Sequence, residues 1–257
     1  MLTKERLIRI MEKLEKNQFV TIKEIVEEFQ ISRSSAIRDL MDLENQGLIQ
    51  RERGGASLKK ASLTLTSFNE PTVRSKENIN QEAKRIICRE AAESIREGDC
   101  IFIDAGTTPI YILDYLKDKK IQLVTPNTYL IQRLPEDFKG NVYLLGGQFK
   151  NSYDISVGPL TTQMIQNFHF DRAFFSTNGM SLDSNEACVF DFQVGEVKQE
   201  VMKRCNHNSL LADKSKFGVM AMAKWAEFDE FHTIYIDEWT FDDECPENFI
   251  ICKGENE

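Results

Sequence analysis

The chain has 257 residues, 41% of them hydrophobic and 28% charged, a composition typical of a globular protein with one large or two ordinary domains. No apolar run reaches the roughly 20 residues of a membrane span, and the charged, amphipathic N-terminus is not expected to be a signal peptide. Residues 1–60 hold 12 Lys and Arg against 10 Asp and Glu, whereas the rest of the chain brings the net charge to −9. A mildly basic head on an acidic body permits nucleic-acid binding by the head.

Six cysteines are scattered along the chain without a C-x-x-C pair, and several lie inside apolar runs. This pattern favours reduced thiols in a cytoplasmic protein over disulfides or a zinc site. We therefore expect no bound metal.

The first sixty residues have the pattern of three short helices followed by a hairpin. Apolar residues at spacings of three and four predict a first helix up to about residue 16. Thr21, with Glu24 three residues later, has the pattern of a capping box at the start of a second helix. Ser32 is placed to cap a third helix, and Gly54-Gly55 marks a turn between two short strands. Residues 1–58 are therefore predicted to form a winged helix-turn-helix domain.

In such a domain the third helix enters the DNA major groove, and its N-terminal side chains reach base edges. Small and basic side chains near the start of this helix suit that role, and arginines on the hairpin are placed to contact phosphates. The candidate DNA-binding residues are Thr21, Ser32, Arg33, Ser34, Ser35, Arg38, Arg51 and Arg53. The alternative is a three-helix interaction domain with a solvated polar face, an adaptor that does not bind DNA.

Residues 59–71 are polar and turn-rich, and they are predicted to be a linker. Residues 72–257 then alternate apolar strands with helices, which predicts an α/β domain built on a mostly parallel sheet. The first elements expected are a helix from about Asn80 to Arg96 with Gly98 as its C-cap, a strand Cys100–Asp104 and a helix Pro109–Leu116. Further strands are expected at 121–125, 142–145, 172–177, 209–212 and 233–236, with a last apolar run at 249–252, and further helices at 127–134, from 159 and at 194–204.

Polar residues and glycines follow the C-terminal ends of five of these strands, where ligands bind in open α/β sheets. Thr108 is predicted to cap the helix that begins at Pro109, so that free N–H groups of the turn after Asp104 suit an anion, phosphate above all. The alternative for the residues after Asp104 is an ordinary turn without a ligand. The alternative for the charged helix at 194–204 is a face exposed to solvent. The candidate ligand-binding residues are Asp104, Gly106, Thr107, Thr108, Thr125, Asn127, Gly146, Gly147, Gly179, Glu196, Lys198, Asp213 and Lys216.

Motifs in both halves of the chain resemble one family. Thr21-Ile22-Lys23-Glu24-Ile25, Arg38-Asp39-Leu40 and Gly54-Gly55-Ala56 are similar to the N-terminal module of DeoR-type bacterial transcriptional regulators, although Ile37 and Arg53 depart from the family pattern. Asp104-x-Gly106-Thr107-Thr108, Leu144-Leu145-Gly146-Gly147 and Asp213-x-Ser215-Lys216 are similar to that family's C-terminal sensor domain. The resemblance implies a sensor similar in fold to sugar-phosphate isomerases that binds a phosphorylated sugar or a related metabolite, without a cofactor.

Three functions follow from these features. The first is a transcriptional regulator, a repressor of sugar-metabolism genes, that binds operator DNA as a dimer or tetramer and is controlled by a phosphorylated sugar. The second is a sugar-phosphate isomerase with an accessory DNA-binding head, in which Asp104, Glu196 and Lys216 supply acid, base and charge stabilisation. The third is the adaptor. We expect the first, because no histidine follows any of the strand ends to serve as the base of an enolisation.

Overall fold

The computed structural model describes residues 6–7, 9–11, 13–14, 19–45, 49–52, 54–58, 73 and 76–254. The chain divides between Leu63 and Thr64 into two compact units, called here the head and the body. The predicted linker and Arg53 lie outside the described residues. Within the described part of the chain, no helix is long and apolar enough to cross a bilayer.

The head contains three helices and a hairpin, as predicted, and the strand Phe19–Thr21 extends the hairpin to a three-stranded antiparallel sheet, which was not predicted. The described residues between 6 and 14 are helical. They are followed by β1 (Phe19–Thr21), α1 (Ile22–Phe29), α2 (Arg33–Asn45), β2 (Ile49–Glu52) and β3 (Gly55–Leu58), with β3 between β1 and β2. One apolar core joins these elements, and its buried residues are Ile10, Leu14, Val20, Ile25, Ala36, Leu40, Leu43, Ile49 and Ala56.

Both predicted caps in the head are present. The Thr21 hydroxyl accepts a hydrogen bond from the Glu24 backbone N–H at 3.1 Å, and the Glu24 carboxylate accepts one from the Thr21 N–H at 2.7 Å. The Ser32 hydroxyl accepts from the Ser35 N–H at 3.1 Å. These bonds satisfy N–H groups that have no partner within the helix, and they fix where α1 and α2 begin.

Replacing Thr21 by alanine is expected to destabilise the head by about 1 kcal/mol, because the hydroxyl that accepts the hydrogen bond from the Glu24 N–H is lost. Amide hydrogen exchange across α1 of the full-length protein would then be about fivefold faster than in the wild type. Lys23→Ala, an exposed change in the same helix, is the control and should leave exchange unchanged. Equal exchange in the wild type and Thr21→Ala would show that the cap does not stabilise this domain.

The body is built on a sheet of seven parallel strands, confirming the predicted class. The sheet order is β15-β14-β12-β9-β4-β5-β6, and every neighbouring pair is parallel. Its elements are α3 (Gln81–Glu93), β4 (Cys100–Ile103), a 3-10 helix (Pro109–Tyr115), β5 (Gln122–Thr125), α4 (Thr128–Ile131), β6 (Asn141–Leu144), β7 (Gln148–Lys150), β8 (Ile155–Val157), α5 (Pro159–Ile165), β9 (Phe170–Phe175), β10 (Gly179–Ser181), β11 (Glu186–Val189), α6 (Phe192–Met202), β12 (Cys205–Leu211), a 3-10 turn (Lys214–Lys216), β13 (Ala223–Glu227), a 3-10 turn (Phe228–Glu230), β14 (Thr233–Ile236) and β15 (Phe249–Ile251).

Strand β4 lies at the centre of this sheet, and its side chains face two separate cores. Phe102 packs into one cluster, while Ile101 and Ile103 pack into the other, and all three are fully buried. Helices cover both faces of such a sheet, which is why its strands are continuous apolar runs and do not alternate with polar residues. From β4 the chain proceeds to β5 and β6 on one side and returns at β9 on the other. The boundary between β4 and β9 is therefore the point at which the strand order reverses.

Some sequence predictions for the body were wrong. Five short strands were missed: β7 and β8, which pair with each other, and β10, β11 and β13, which form a small antiparallel sheet. Helix α3 has its C-cap at Ser94, four residues before Gly98. Thr108 makes no side-chain capping bond, because its own backbone is already helical (φ −75°, ψ −55°), whereas an N-cap residue is extended.

Candidate functional site

The loops after β4 and β9 meet at the reversal point of the sheet. The Ser176 N–H donates to the Asp104 carboxylate at 2.9 Å, and the Ser176 hydroxyl donates to the Ala105 carbonyl oxygen at 2.6 Å. Gly106 follows with φ +109°, in the left-handed region, and a Cβ at this position would stand 3.0 Å from the Ser176 hydroxyl. Glycine is therefore required here by both its backbone conformation and its packing.

Beneath these loops, Lys198 of α6 forms a buried ion pair with Asp104. Their side chains are 2% and 0% exposed. The Lys198 ammonium also donates to the Ser176 carbonyl oxygen at 3.0 Å and lies 5.0 Å from the centre of the Trp225 ring. The second carboxylate oxygen of Asp104 has no hydrogen-bond partner among the described residues. A charge pair this deeply buried holds the two loops together, since each charge needs the other.

A cavity of about 240 Å³ opens above this pair at the carboxyl edge of the sheet. Residues from five separate parts of the body line it: Lys76, Ile79, Lys84, Gly106, Thr107, Thr108, Ser176, Thr177, Asn178, Asp213, Ser215 and Lys216. A smaller cavity of about 40 Å³ shares Lys76, Gly106, Ser176 and Asn178 with it and is also lined by Lys198 and Tyr153.

Three lysines give the larger cavity a positive lining. Lys84, only 3% exposed, donates to the Thr107 hydroxyl at 2.9 Å and to the Lys76 carbonyl oxygen at 3.0 Å. The pKa of Lys84 is lowered to about 8, chiefly by burial; Asp213 opposes this shift, while Lys216 and Lys76 add to it. The lining residues thus include three lysines and one carboxylate, Asp213, a composition that favours binding of an anion.

That carboxylate, Asp213, organises the turn after β12. It is 1% exposed and accepts hydrogen bonds from the Ser215 N–H at 3.0 Å and from the Asn80 amide at 2.9 Å. Burial alone would raise the pKa of Asp213, but the nearby Lys216 and the hydrogen bonds from Ser215 and Asn80 outweigh it, and the pKa is lowered. Asp213 is thus ionised at neutral pH and fixes Lys216 beside the cavity.

Seven of the predicted ligand-binding residues come together. Gly106, Thr107, Thr108, Asp213 and Lys216 line the larger cavity, Lys198 lines the smaller one, and Asp104 holds Lys198 in place.

Two further predicted residues, Thr125 and Asn127, lie below the cavity in structural positions. Both are fully buried. Thr125 donates to the Ile103 carbonyl oxygen at 2.6 Å. Asn127 caps α4 by accepting from the Leu130 N–H at 3.0 Å. Their polar groups are therefore already satisfied by the protein.

Four others are placed away from the cavity. Gly146 and Gly147 follow β6, an edge strand two positions from β4, and contact α5. Gly179 packs against the backbone of Val219, where a Cβ would come within 1.9 Å of the Val219 oxygen. Glu196 is exposed and lines a different depression along α5 and α6. It lies two residues from Lys198 and so points to another side of α6.

Four lining residues were not among the predicted ligand-binding residues: Lys76, Lys84, Ser176 and Asn178. One signal for Lys84 was available, because it lies on the buried stripe of α3 with Ile87, Cys88 and Ala91. A lysine on an apolar helical stripe indicates a buried cation with a specific partner. Asn178 directly follows the predicted strand 172–177, the same signal that marked the other strand ends. Nothing in the local pattern marks Lys76 or Ser176 as a ligand-binding residue.

The predicted DNA-binding residues lie largely on one exposed part of the head. Ser32, Arg33, Ser34 and Arg38 are exposed at the start of α2, on the side opposite its buried residues. Other predicted contacts already have partners within the head. The Thr21 and Ser35 hydroxyls take part in the two caps, and the Arg51 guanidinium donates to the Glu44 carboxylate at 2.6 Å.

An ion pair on the buried side of α2 fixes the orientation of this helix. Arg6, in the first helix, forms two hydrogen bonds with the buried Asp39 carboxylate, at 2.6 and 2.9 Å. The paired carboxylate raises the pKa of Arg6 through these bonds. Because Arg38 and Asp39 are adjacent on the helix, this anchor directs Arg38 towards solvent.

Both the head and the body are similar to domains of known proteins. Residues 6–62 match the DeoR-like helix-turn-helix domain, and residues 79–238 match the DeoR C-terminal sensor domain. The chain is 34% identical over 245 residues to the HTH-type transcriptional regulator FruR of Bacillus subtilis, described as uncharacterized, covering 94% of this chain and 95% of that protein. It is 29% identical to a lactose phosphotransferase system repressor of Streptococcus mutans, covering 91% of each chain. It is 31% identical to the glycerol-3-phosphate regulon repressor of Escherichia coli, covering 89% of this chain and 88% of the relative. The chain therefore belongs to the DeoR family.

Proposed function

We propose that this protein is a transcriptional repressor of sugar-metabolism genes, with a head that binds operator DNA and a body that binds a phosphorylated sugar. The exposed arginines at the start of α2 support the first part. Two of the similar proteins are named as repressors, one of a lactose phosphotransferase system and one of a glycerol-3-phosphate regulon, which supports the link to phosphorylated metabolites.

The lysine-lined cavity is the observation that carries the proposal for the body. Lys84 and Lys216 supply charge, and Thr107 supplies a hydroxyl next to Lys84, which together suit the oxygens of a phosphate. The volume of about 240 Å³ lies below the range of drug-sized sites and suits a small sugar phosphate.

The remainder of the ligand would extend towards the smaller cavity. Ser176 and Asn178 line both cavities and carry groups that bond sugar hydroxyls, and Lys198 lines the smaller one. A phosphorylated sugar should therefore bind more tightly than inorganic phosphate, and a neutral sugar should bind weakly.

The same contacts favour a sensor over an isomerase. The Asp104 carboxylate is engaged by Lys198 and Ser176, so it is poorly placed to remove a proton from a substrate carbon. The lowered pKa of Asp213 makes it a weak base, and Glu196 lies elsewhere. We infer that the body binds its ligand without turnover and without a cofactor.

A homo-oligomer, a dimer or a tetramer, is part of the proposal. Two heads related by symmetry would recognise a palindromic or repeated operator, with half-sites about one helical turn (~10 base pairs) apart or a multiple of that spacing.

DNA binding by the head is tested with the full-length protein and a duplex selected from a random pool. The affinity should fall steeply as salt rises, because Lys and Arg release counterions from phosphates. Arg33→Ala or Arg38→Ala should cost about 1–3 kcal/mol against the selected duplex and less against a scrambled one. Lys117→Ala, an exposed change in the body, is the control. An adaptor would select no duplex, or would bind DNA with an affinity that neither salt nor the arginine changes affect.

A further inference from the structure

We propose that the body pairs with a second copy of this chain through the open edge of its seven-stranded sheet at β6. The surface involved is called here the apolar edge, and it is defined by four exposed side chains: Tyr143, Leu144, Leu160 and Met164. This pairing rests on the homo-oligomer of the proposed function, to which it assigns a surface.

The apolar edge combines the last residues of β6 with one side of α5. Its four side chains are between 37% and 65% exposed. Leu160 and Met164 lie one turn apart on α5 and so share a side of that helix. The Gly146 N–H, directly after the edge strand, donates to the Met164 sulfur at 3.2 Å. The exposed side of α5 therefore lies next to the end of β6.

The two glycines that follow β6 bring the helix this close. A Cβ at Gly147, whose φ is +151°, would overlap the Thr161 hydroxyl of α5. That hydroxyl donates to the Gly146 carbonyl oxygen at 2.8 Å. Just after α5, the ring of Phe168 lies 5.5 Å from that of Tyr143. The glycine pair, which lines neither of the two cavities described above, thus helps to build the apolar edge.

Strand β6 leaves backbone groups open for pairing. The N–H groups of Asn141 and Leu145 donate to carbonyl oxygens of residues 121–125 on the inner side of the strand. Because successive residues of a strand direct their N–H groups to opposite sides, those of Val142 and Leu144 point out of the sheet. Natural sheets block such an edge with charged residues or proline, and β6 contains neither. This edge can therefore accept another strand.

Charge favours a second copy of this chain as the occupant. Residues 140–149 and 155–168 contain no Lys, Arg, Asp or Glu, although 28% of the whole chain is charged. Two copies with a net charge of −9 each repel one another, and this repulsion is smallest where both surfaces are uncharged. Nucleic acid and anionic lipid would find no cation on this surface to bind them.

The polar groups around the apolar edge are also self-complementary. Asn141, Gln163 and Asn167 are exposed there. An amide both donates and accepts hydrogen bonds, so it can pair with the same residue of an identical chain, whereas a charged side chain cannot. A symmetric contact, in which the same patch is used twice, requires this property.

The opposite edge of the sheet lacks it. Strand β15 is also an edge strand, and Ile250 and Ile251 are exposed on it. However, residues 242–247, just before this strand, include four Asp and Glu. Two copies meeting at β15 would bring these carboxylates together, and such like-charge contacts oppose association. The charge pattern therefore selects β6 over β15.

A twofold axis perpendicular to the sheet gives this pairing its geometry. Such an axis places β6 antiparallel to its copy and α5 next to the α5 of the second chain. The two sheets of seven strands would then form one sheet of fourteen, a size that occurs in large α/β proteins.

The test measures self-association of the full-length protein by sedimentation over a range of concentrations. The wild type should associate, and Leu160→Glu and Leu144→Glu should each raise the Kd of one association step at least 30-fold, because a symmetric interface receives the new charge twice. Ile251→Glu is the control matched to Leu144→Glu, since both residues end an edge strand and are 42% and 44% exposed. It should leave the Kd unchanged. Circular dichroism verifies that each variant is folded.

Amide hydrogen exchange locates the contact. At a concentration at which the wild type is assembled, the N–H groups of Val142 and Leu144 should exchange at least tenfold more slowly in the wild type than in Leu160→Glu. Leu160 is the most exposed of the four side chains, so this substitution does not alter the core of the body.

An unchanged Kd in both variants, an equal rise in Ile251→Glu, or equal exchange at residues 142 and 144 would overturn the apolar edge as the interface and leave the homo-oligomer in place. A wild type that stays monomeric at every concentration would reject a second copy as the occupant, and the homo-oligomer with it. Binding of the selected duplex and of phosphorylated sugars is measured separately, so failure of the other parts of the proposed function remains distinguishable.

Discussion

Replacing Asp104 by leucine is expected to destabilise the body by about 3–5 kcal/mol, because it leaves the Lys198 ammonium buried without a counter-charge. Both side chains are almost fully buried, so water cannot take the place of the lost carboxylate. For a domain of this size, the loss corresponds to a fall of roughly 6–20 °C in melting temperature. Thermal unfolding of the full-length protein, followed in the transition of the body, measures it.

The matched control is the double variant Asp104→Leu with Lys198→Met. Replacing both members of a buried ion pair by apolar groups is often neutral or stabilising, so the double variant should regain most of the lost stability. Additive losses in the double variant would contradict the interpretation that the pair is stabilised mainly by mutual compensation of charge.

Replacing Lys84 by methionine is expected to weaken binding of a phosphorylated sugar by about 1.5–3 kcal/mol, or roughly 10- to 150-fold, because a hydrogen-bonded charge at the phosphate is removed. Without ligand, the variant should be at least as stable as the wild type, since a buried cation next to two other lysines has been eliminated. Calorimetry of ligand binding, together with unfolding of the unliganded protein, separates these effects. Lys203→Met should change neither quantity.

The pH dependence offers a second measurement on Lys84. Its pKa of about 8 in the folded protein means that the ammonium loses its proton as the pH rises through about 8. A phosphate ester is already a dianion there, because its second pKa is about 6. Affinity should therefore decline above pH 8 in the wild type, and this decline should be absent in Lys84→Met. Stability of the unliganded wild type should rise between about pH 8 and 10.5, where the unfolded chain binds the proton more strongly.

The class of the body and the turn after β4 could be predicted from the sequence because both rest on local patterns. Strands buried on both faces are continuous apolar runs, and the residues Gly106 to Thr108 lie directly after one of them. The full composition of the site could not be predicted, since it depends on the order of strands in the sheet. That order puts β9 beside β4 and brings in Ser176, while β6, with Gly146, lies two strands away.

Other errors concern the direction in which a side chain points and the partner to which it is hydrogen-bonded. Glu196 and Lys198 are two residues apart on one helix, and sequence alone did not distinguish the exposed side chain from the buried one. Asn127 has the chemistry of a sugar-binding side chain, but its carbonyl oxygen is used to cap α4. Lys84 and Thr107 are 23 residues apart, and only the packing of α3 against the sheet edge places them 2.9 Å from each other.

The most direct test of the central claim is the affinity of the full-length protein for its selected duplex, measured with a panel of phosphorylated sugars and the corresponding neutral sugars. We predict that at least one phosphorylated sugar lowers the affinity fivefold or more, that its neutral counterpart does not, and that Lys84→Met abolishes the response while still binding the duplex. An unchanged affinity across the panel, or an equal response in Lys84→Met, would contradict a repressor controlled through this cavity.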